Sequence, residues 1–359
     1  MLSSVGVGDA TASPTAALLL SILQESAGRI ATIFFAHRFG TSLEPECKMY
    51  RLLADVLNDI AFVVDCMSPA FPKPIRVIVL SFSSVLRALC GVAAGSAKAS
   101  LSAHFARWGK LGELNAKDSS QETVISLIGM LAGSLVVSWV TTPTATWSTL
   151  ILLLAIHLET NRRAVRAVSM RTLNRQRATL VYHHLKRGHV PTPEEVSKEE
   201  RIFEQSGVLR DADDQIIGHC TIGTSLSTYL SVFSSSNRST GSFQVSNDIT
   251  AVLKQNEPGD CLVTASRGSK TTPSFFVVLE KRTQPSHILV AWWSALMVAE
   301  RQAKYSARDG PGQEQDKRGA DRATAKALLE KNVAALEEVG WDLGTGAMET
   351  RSSPRVSIA

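Results

Sequence analysis

Eighteen consecutive residues, Thr123 to Val140, carry no charge. A run of that length rests in the hydrocarbon of a bilayer or in the centre of a large helical domain. It sits near the lower limit for crossing, roughly 17–20 residues as a helix. Within it Gly129 and Gly133 stand at G-x-x-x-G spacing, which lets a second helix approach closely. A short turn, Thr141 to Thr144 with Pro143, leads to a second apolar run, Ala145 to Leu158. The two runs read as a membrane hairpin with both ends on one side. Lys110 and Lys117 before it, and Arg162, Arg163, Arg166, Arg171, Arg175, Arg177, Lys186 and Arg187 after it, put those ends on the cytoplasmic or stromal-equivalent side. The alternative is a buried hairpin in a soluble helical domain.

Composition sharpens this into a two-part chain. Of the 359 residues, 44% are hydrophobic and 20% charged, but the apolar runs crowd the first half and the second half is mixed. The net charge of +5 arises largely in the arginines after the hairpin. No aromatic residues alternate with them, so a nucleic-acid partner is not expected and the lipid bilayer is. The five cysteines show no C-x-x-C or Cys/His ligand spacing and read as small hydrophobes in a reducing compartment. Ala16 to Leu20 lacks the basic lead-in of a signal peptide.

A second stretch gives the first half its chemistry. As a helix from Arg51, at about 100° per residue, Arg51, Asp55, Asn58 and Asp65 share a face, with Asp59 at its edge. Leu52, Leu53, Val56, Leu57, Ile60, Val63, Val64 and Met67 cover the other face. Close carboxylates can share a proton or bind a cation; ion pairing is the plainer reading. The next helix, Ile75 to Phe105, carries Arg76, Arg87 and Lys98 at eleven-residue steps, one stripe on a helix. Those cations face either solvent or Asp55, Asp59 and Asp65, since charge at membrane depth needs a partner. Ahead of the uncharged run, Lys117, Asp118, Ser119, Ser120, Gln121 and Glu122 gather at an expected helix start, with Ser119 and Glu122 at capping-box spacing. Free backbone N–H groups there would suit a phosphate; a simple cap at the membrane interface is the alternative.

The same residues resemble the root UVB sensitive family. RLLADVLNDIAF and AKDSSQETVISLIGMLAG carry the likeness, with GVGDATASPTAA at Gly6 to Ala17, GRIATIFFAHRFGTSLE at Gly28 to Glu44, GVAAGSAKASLSAHFAR at Gly91 to Arg107 and HLETNRRAVRAVSMRTLNRQRA at His157 to Ala178. It covers roughly the first half of the chain, in order. The resemblance implies a membrane-associated protein linked to vitamin B6 status and light sensitivity, and brings no catalytic mechanism with it. Members carry a proline- and aromatic-rich segment ahead of GVGDATA, so a shortened N-terminus is expected. The resemblance also suggests pyridoxal phosphate as a ligand, with other family members as oligomeric partners, in an organelle or endoplasmic reticulum membrane. Lys98 as a Schiff-base lysine would need a desolvated amine, a phosphate cup and a partner for the pyridine nitrogen, and no such set is recognisable.

Beyond Pro191 the chain changes character. Strands are expected at Gln215 to Ile222, Cys261 to Ala265 and Ser274 to Glu280, and helices at Asp248 to Gln255 and Ile288 to Lys304. Leu226 to Phe233 reads either way, and Ser235 to Ser242 as a loop. His183, His184 and His189 read as a solvated helix end, without an acid at ligand spacing. Ser306 to Gly319 reads as a charged linker, Ala320 to Val339 as an amphipathic helix, and Gly344 to Ala359 as a disordered tail. The expected fold is mainly α: a membrane-embedded helical bundle over 1–190, a small α+β soluble domain over 191–305, then linker, helix and tail over 306–359. No G-x-S-x-G, Walker lysine, H-E-x-x-H or post-strand G-x-G-x-x-G occurs, which argues against a common enzyme class. The leading expectation is a protein that binds or moves a small polar molecule, with a membrane scaffold acting through protein partners and an enzyme on B6 vitamers as the alternatives.

Overall fold

A computed structural model describes residues 14–106, 110–236, 243–245, 261–266, 272–305, 314–352 and 354–357. The expected helix at Asp248 to Gln255 and most of the expected loop at Ser235 to Ser242 lie outside them. The chain divides into two compact units, Met1–Val168 and Ser169–Ala359. The helix at 175–186, grouped with the first half on sequence, packs in the second unit. Its inner face meets the tryptophans of that unit's core, described below.

The first unit is helical: α1 (Pro14–Phe39), α2 (Cys47–Met67), α3 (Lys73–Phe105), α4 (Leu111–Trp139) and α5 (Pro143–Ala167). α3 is the hub, packing on both α1 and α2. Against α1 the approach is close: a Cβ at Gly28 would lie 3.3 Å from that of Ala88, and Ser84 donates to the Gln24 carbonyl at 3.1 Å. Against α2, Ser83 donates to the Ala61 carbonyl at 3.2 Å, beside a small core of Leu43, Tyr50, Ala54 and Ala93. α5 packs on α2.

Beside that apolar core the unit also buries charge and exposes large apolar side chains. Asp55, Asp59 and Asp65 are 7%, 4% and 8% exposed, while Ile60, Phe62 and Met67 of the same helix face outward. Ile30, Ile33 and Phe34 of α1 and Ile78 and Phe82 of α3 do likewise. No residue of α4 is buried among the described residues, so the alternative of a buried hairpin is not met there. Two helices, Pro74–Phe105 and Leu111–Trp139, are long and apolar enough to cross a membrane. α5, the second arm of the hairpin expected from sequence, is not one of them, and α3 is. α5 has sixteen uncharged positions before Glu159, Arg162 and Arg163, five of them Thr, Ser or His, which falls short of the roughly 17 a span needs, whereas α3 runs for thirty-three residues.

The second unit is conventional. A four-stranded sheet has the order β1-β2-β6-β5, from β1 (Val208–Arg210), β2 (Ile216–Ile222), β5 (Leu262–Ser266) and β6 (Ser274–Val278). β2 and β6 are parallel and the other pairs antiparallel. α6 (Arg175–Lys186), α7 (Pro193–Glu199), α8 (Leu226–Phe233), α9 (Pro285–Tyr305) and α10 (Glu314–Glu338) complete it. Trp292 and Trp293 of α9 are fully buried. Their indole N–H groups donate to Thr179 Oγ1 and to the Ala178 carbonyl, each at 2.9 Å, which removes the cost of burying a bare donor.

Several local expectations are corrected here. β1 was not foreseen, being three residues long. Leu226–Phe233 resolves as helix. The expected loop from Ser235 begins as strand β3 (Ser234–Ser236), paired with β4 (Phe243–Val245). α10 starts at Glu314, inside the expected linker. The tail is packed rather than disordered: Ala347 and Met348 are each 4% exposed, Arg175 donates to Thr350 Oγ1 at 2.7 Å, and Val356 pairs with Glu280.

Candidate functional site

Each buried carboxylate of α2 meets a different partner. Arg51 Nη1 donates to Asp55 Oδ1 at 3.2 Å, one turn apart on the same helix. Asp59 meets Nδ1 of His157, on α5, at 3.0 Å. Asp65 is paired with Arg87 of α3, whose guanidinium also lies 5.4 Å from the Phe62 ring centroid. The second oxygen of Asp55, Oδ2, is buried without a hydrogen-bond partner among the described residues. Asn58 is only half-buried on the same helix.

The eleven-residue stripe of cations is real but its members do three different jobs. Arg76 reaches no aspartate. It donates to the carbonyls of Ser68, Pro69 and Phe71 at 3.1, 3.1 and 3.2 Å, closing the C-terminal end of α2 where carbonyls lack helical partners. Arg87 neutralises Asp65. Lys98 lies 2.8 Å from both Asp118 and Glu122 and so ties α3 to α4. An ammonium held by two carboxylates, with a side chain 38% exposed, lacks the desolvation a Schiff-base lysine requires.

The phosphate corner expected at Lys117 to Glu122 does not form. α4 begins at Leu111, so Ser119 and Glu122 lie mid-helix and their backbone N–H groups are used within it. Ser119 accepts from Thr123 through its carbonyl at 2.8 Å, and Lys117 pairs with Glu113 at 2.7 Å. The capping-box spacing misled because Gly112 to Ala116 is compatible with helix and extends it upstream. Ser120 and Gln121 are exposed. Phosphate recognition through a helix start is therefore absent from this segment.

His157 is the residue that sequence reading passed over. It sits where the apolar run of α5 ends, two residues before Glu159, and nothing local marks it as a partner of a residue 98 positions earlier. The histidines named beforehand belong elsewhere, in the second unit. His183 is buried rather than solvated, with Nε2 at 3.0 Å from the Arg210 carbonyl. Burial holds its imidazole below the ordinary value, although Glu300 at 3.7 Å favours the charged form. His184 and His189 pair with Glu199 and Glu195 at 3.0 and 3.3 Å. Among the described residues no three His, Cys, Asp or Glu side chains gather as metal ligands.

Taken together, the first unit presents a buried polar seam along α2, with Arg51 at one end, His157 beside it and the Asp65–Arg87 pair further on. Such a seam can hold a cation, a proton or a small polar molecule between helices whose outer faces are apolar.

Comparison with known proteins gives a family match that covers this unit and the start of the second. The profile of the family described as the vitamin B6 photo-protection and homoeostasis domain fits residues 1–188. A RUS family member 1 of Dictyostelium discoideum is 37% identical over 208 residues, covering 56% of this chain and 40% of the relative. A Protein root UVB sensitive 3 of Arabidopsis thaliana is 35% identical over 205 residues, covering 56% and 46%. The matched region thus spans less than half the length of these relatives. No solved structure matches the chain.

Proposed function

The chain belongs to the family defined by the vitamin B6 photo-protection and homoeostasis domain, and from that premise we propose that it is an integral membrane protein that binds or moves a small polar molecule, a B6 vitamer foremost. The observation that carries the reading is the polarity of the first unit: three carboxylates turned inward and Ile, Leu and Phe side chains turned outward. In water that arrangement exposes apolar surface and desolvates charge at once; in hydrocarbon it hides charge and satisfies the apolar faces. A polar seam enclosed in such a bundle is where a vitamer hydroxyl, amine or phosphate would find partners.

Alkaline carbonate extraction of membranes carrying the tagged full chain tests the first half of the reading. Retention in the pellet supports it, and release into the supernatant removes it. The second half is tested by vitamer levels in cells lacking the relative and rescued with this chain: Asp59→Asn and Arg87→Ala should fail to restore them at normal protein abundance.

A second reading, a membrane scaffold acting through protein partners, draws on α4, none of whose residues is buried. A second copy or another family member would then cover it. A single-chain mass in mild detergent counts against that reading.

A further inference from the structure

The seam along α2 contains one oxygen that ion pairing does not account for. Asp55 Oδ1 is held by Arg51, but Oδ2 is buried and has no hydrogen-bond partner among the described residues. The Asp55 side chain is 9% exposed. A buried, unsatisfied carboxylate oxygen is costly when ionised and is satisfied by a proton. One turn on, Asp59 is 6% exposed and lies 3.0 Å from Nδ1 of His157, whose own side chain is 39% exposed. Carboxylates at i and i+4 have Cβ atoms about 5–6 Å apart, so the two are neighbours on the helix surface. Both Asp59 and His157 lie within electrostatic reach of Asp55. A half-exposed imidazole thus meets one buried carboxylate, and one helical turn away stands a second buried carboxylate whose Oδ2 has no hydrogen-bond partner among the described residues.

We propose that His157, Asp59 and Asp55 form a proton-binding site, with His157 the entry group and the carboxylate pair the resting place of one proton. A hydronium ion gives a proton to Nε2 of His157, and water leaves. The Nδ1 proton passes to Asp59, so the imidazole returns neutral in its other tautomer. Asp59 then passes the proton to Oδ2 of Asp55 and regains its charge. Arg51 keeps Oδ1 of Asp55 in place throughout. The groups facing this path are Arg51 on α2, Cys90 on α3 and His157 on α5; Arg87 of α3 is engaged with Asp65. The site deepens the carrier reading and rests on it in one respect only: there, the proton is the ion whose movement is coupled to the vitamer.

Infrared difference spectra of the purified full chain in lipid nanodiscs, between about pH 5 and about pH 8, read the site directly. A protonated-carboxyl band should grow as pH falls. It should be lost in Asp55→Asn and in Asp59→Asn, and should appear more slowly after a pH jump in His157→Gln. A band untouched by both aspartate variants overturns the site. If one aspartate variant does not fold, the other decides. Uptake of labelled pyridoxine into proteoliposomes under a pH gradient separates this from the broader reading. A band lost in the variants, with no uptake of any vitamer, supports the proton site while removing the carrier reading. Uptake indifferent to the gradient, with no carboxyl band, removes the site while leaving the carrier.

Discussion

His157 and Asp59 lie 98 positions apart in sequence and meet at 3.0 Å, joining α5 to α2 by a polar contact between helices whose outward faces are apolar. That contact, the Arg51–Asp55 pair and the Asp65–Arg87 pair make α2 the element on which the charge balance of the first unit depends.

Removing one partner of the Asp65–Arg87 pair should be worse than removing both charges. Arg87→Ala leaves a carboxylate that is 5% exposed without its cation. Because the arginine itself is partly exposed, the loss is discounted to roughly 1–3 kcal/mol. Asp65→Asn together with Arg87→Gln should recover most of it. Thermal unfolding of the three proteins in one detergent reads the ordering, and equal losses would contradict it.

Two glycines with left-handed backbone should respond differently to alanine. Gly207 has φ +83° and an added Cβ would lie 2.6 Å from the Cys220 carbonyl oxygen. Strain and collision combine there, and Gly207→Ala should cost upward of about 2 kcal/mol. Gly188 has φ +81° with open space around it, so Gly188→Ala should cost about 1 kcal/mol. Urea unfolding followed by tryptophan fluorescence distinguishes them, since Trp292, Trp293 and Trp341 are all buried in this unit.

Acid should weaken the second unit through His183. Its folded-state affinity for a proton is below the ordinary value of 6.5 because it is buried. Above that value both states are neutral and the histidine is silent. As pH falls below it, the unfolded chain takes up the proton first, so stability falls until the folded-state value is reached. The slope of stability against pH in this window should flatten in His183→Gln. A slope unchanged by the substitution would assign the effect to other groups.

The C-terminal segment should matter to the core. Trp341 is 3% exposed and its indole N–H donates to the Pro191 carbonyl at 2.8 Å. Trp341→Ala should cost about 3–5 kcal/mol, the range for losing a buried tryptophan. Termination after Gly340 should do at least as much damage by removing Ala347, Met348 and Val356 as well. Yield and melting temperature of the two variants measure this; a truncated chain that melts normally would contradict it.

What could be read from sequence tracks how local the physics is. The helices of the first unit follow from runs of apolar residues closed by prolines, and α9 from its paired tryptophans. The family likeness lay in contiguous segments such as RLLADVLNDIAF. The buried aspartates were visible as a face, and Arg87 as a candidate partner, because helical spacing is a local rule. Which partner each found was not visible: Arg76 went to carbonyls, Lys98 to α4, and Asp59 to a histidine on a helix that no spacing rule connects to it. Inward and outward faces of α2 were also beyond periodicity, which marks two faces without saying which is covered. The start of α4 was misread because a good capping spacing at Ser119 was outweighed by helix-compatible residues before it.

The scatter of partners around α2 also fixes a timetable for synthesis. Asp55 has its arginine at once, since Arg51 is made four residues earlier. Asp65 waits for Arg87, 22 residues later. Asp59 waits for His157, which leaves the ribosome only after α3 and α4 are complete. A nascent α2 therefore carries Asp59 without its imidazole partner through the making of two further helices.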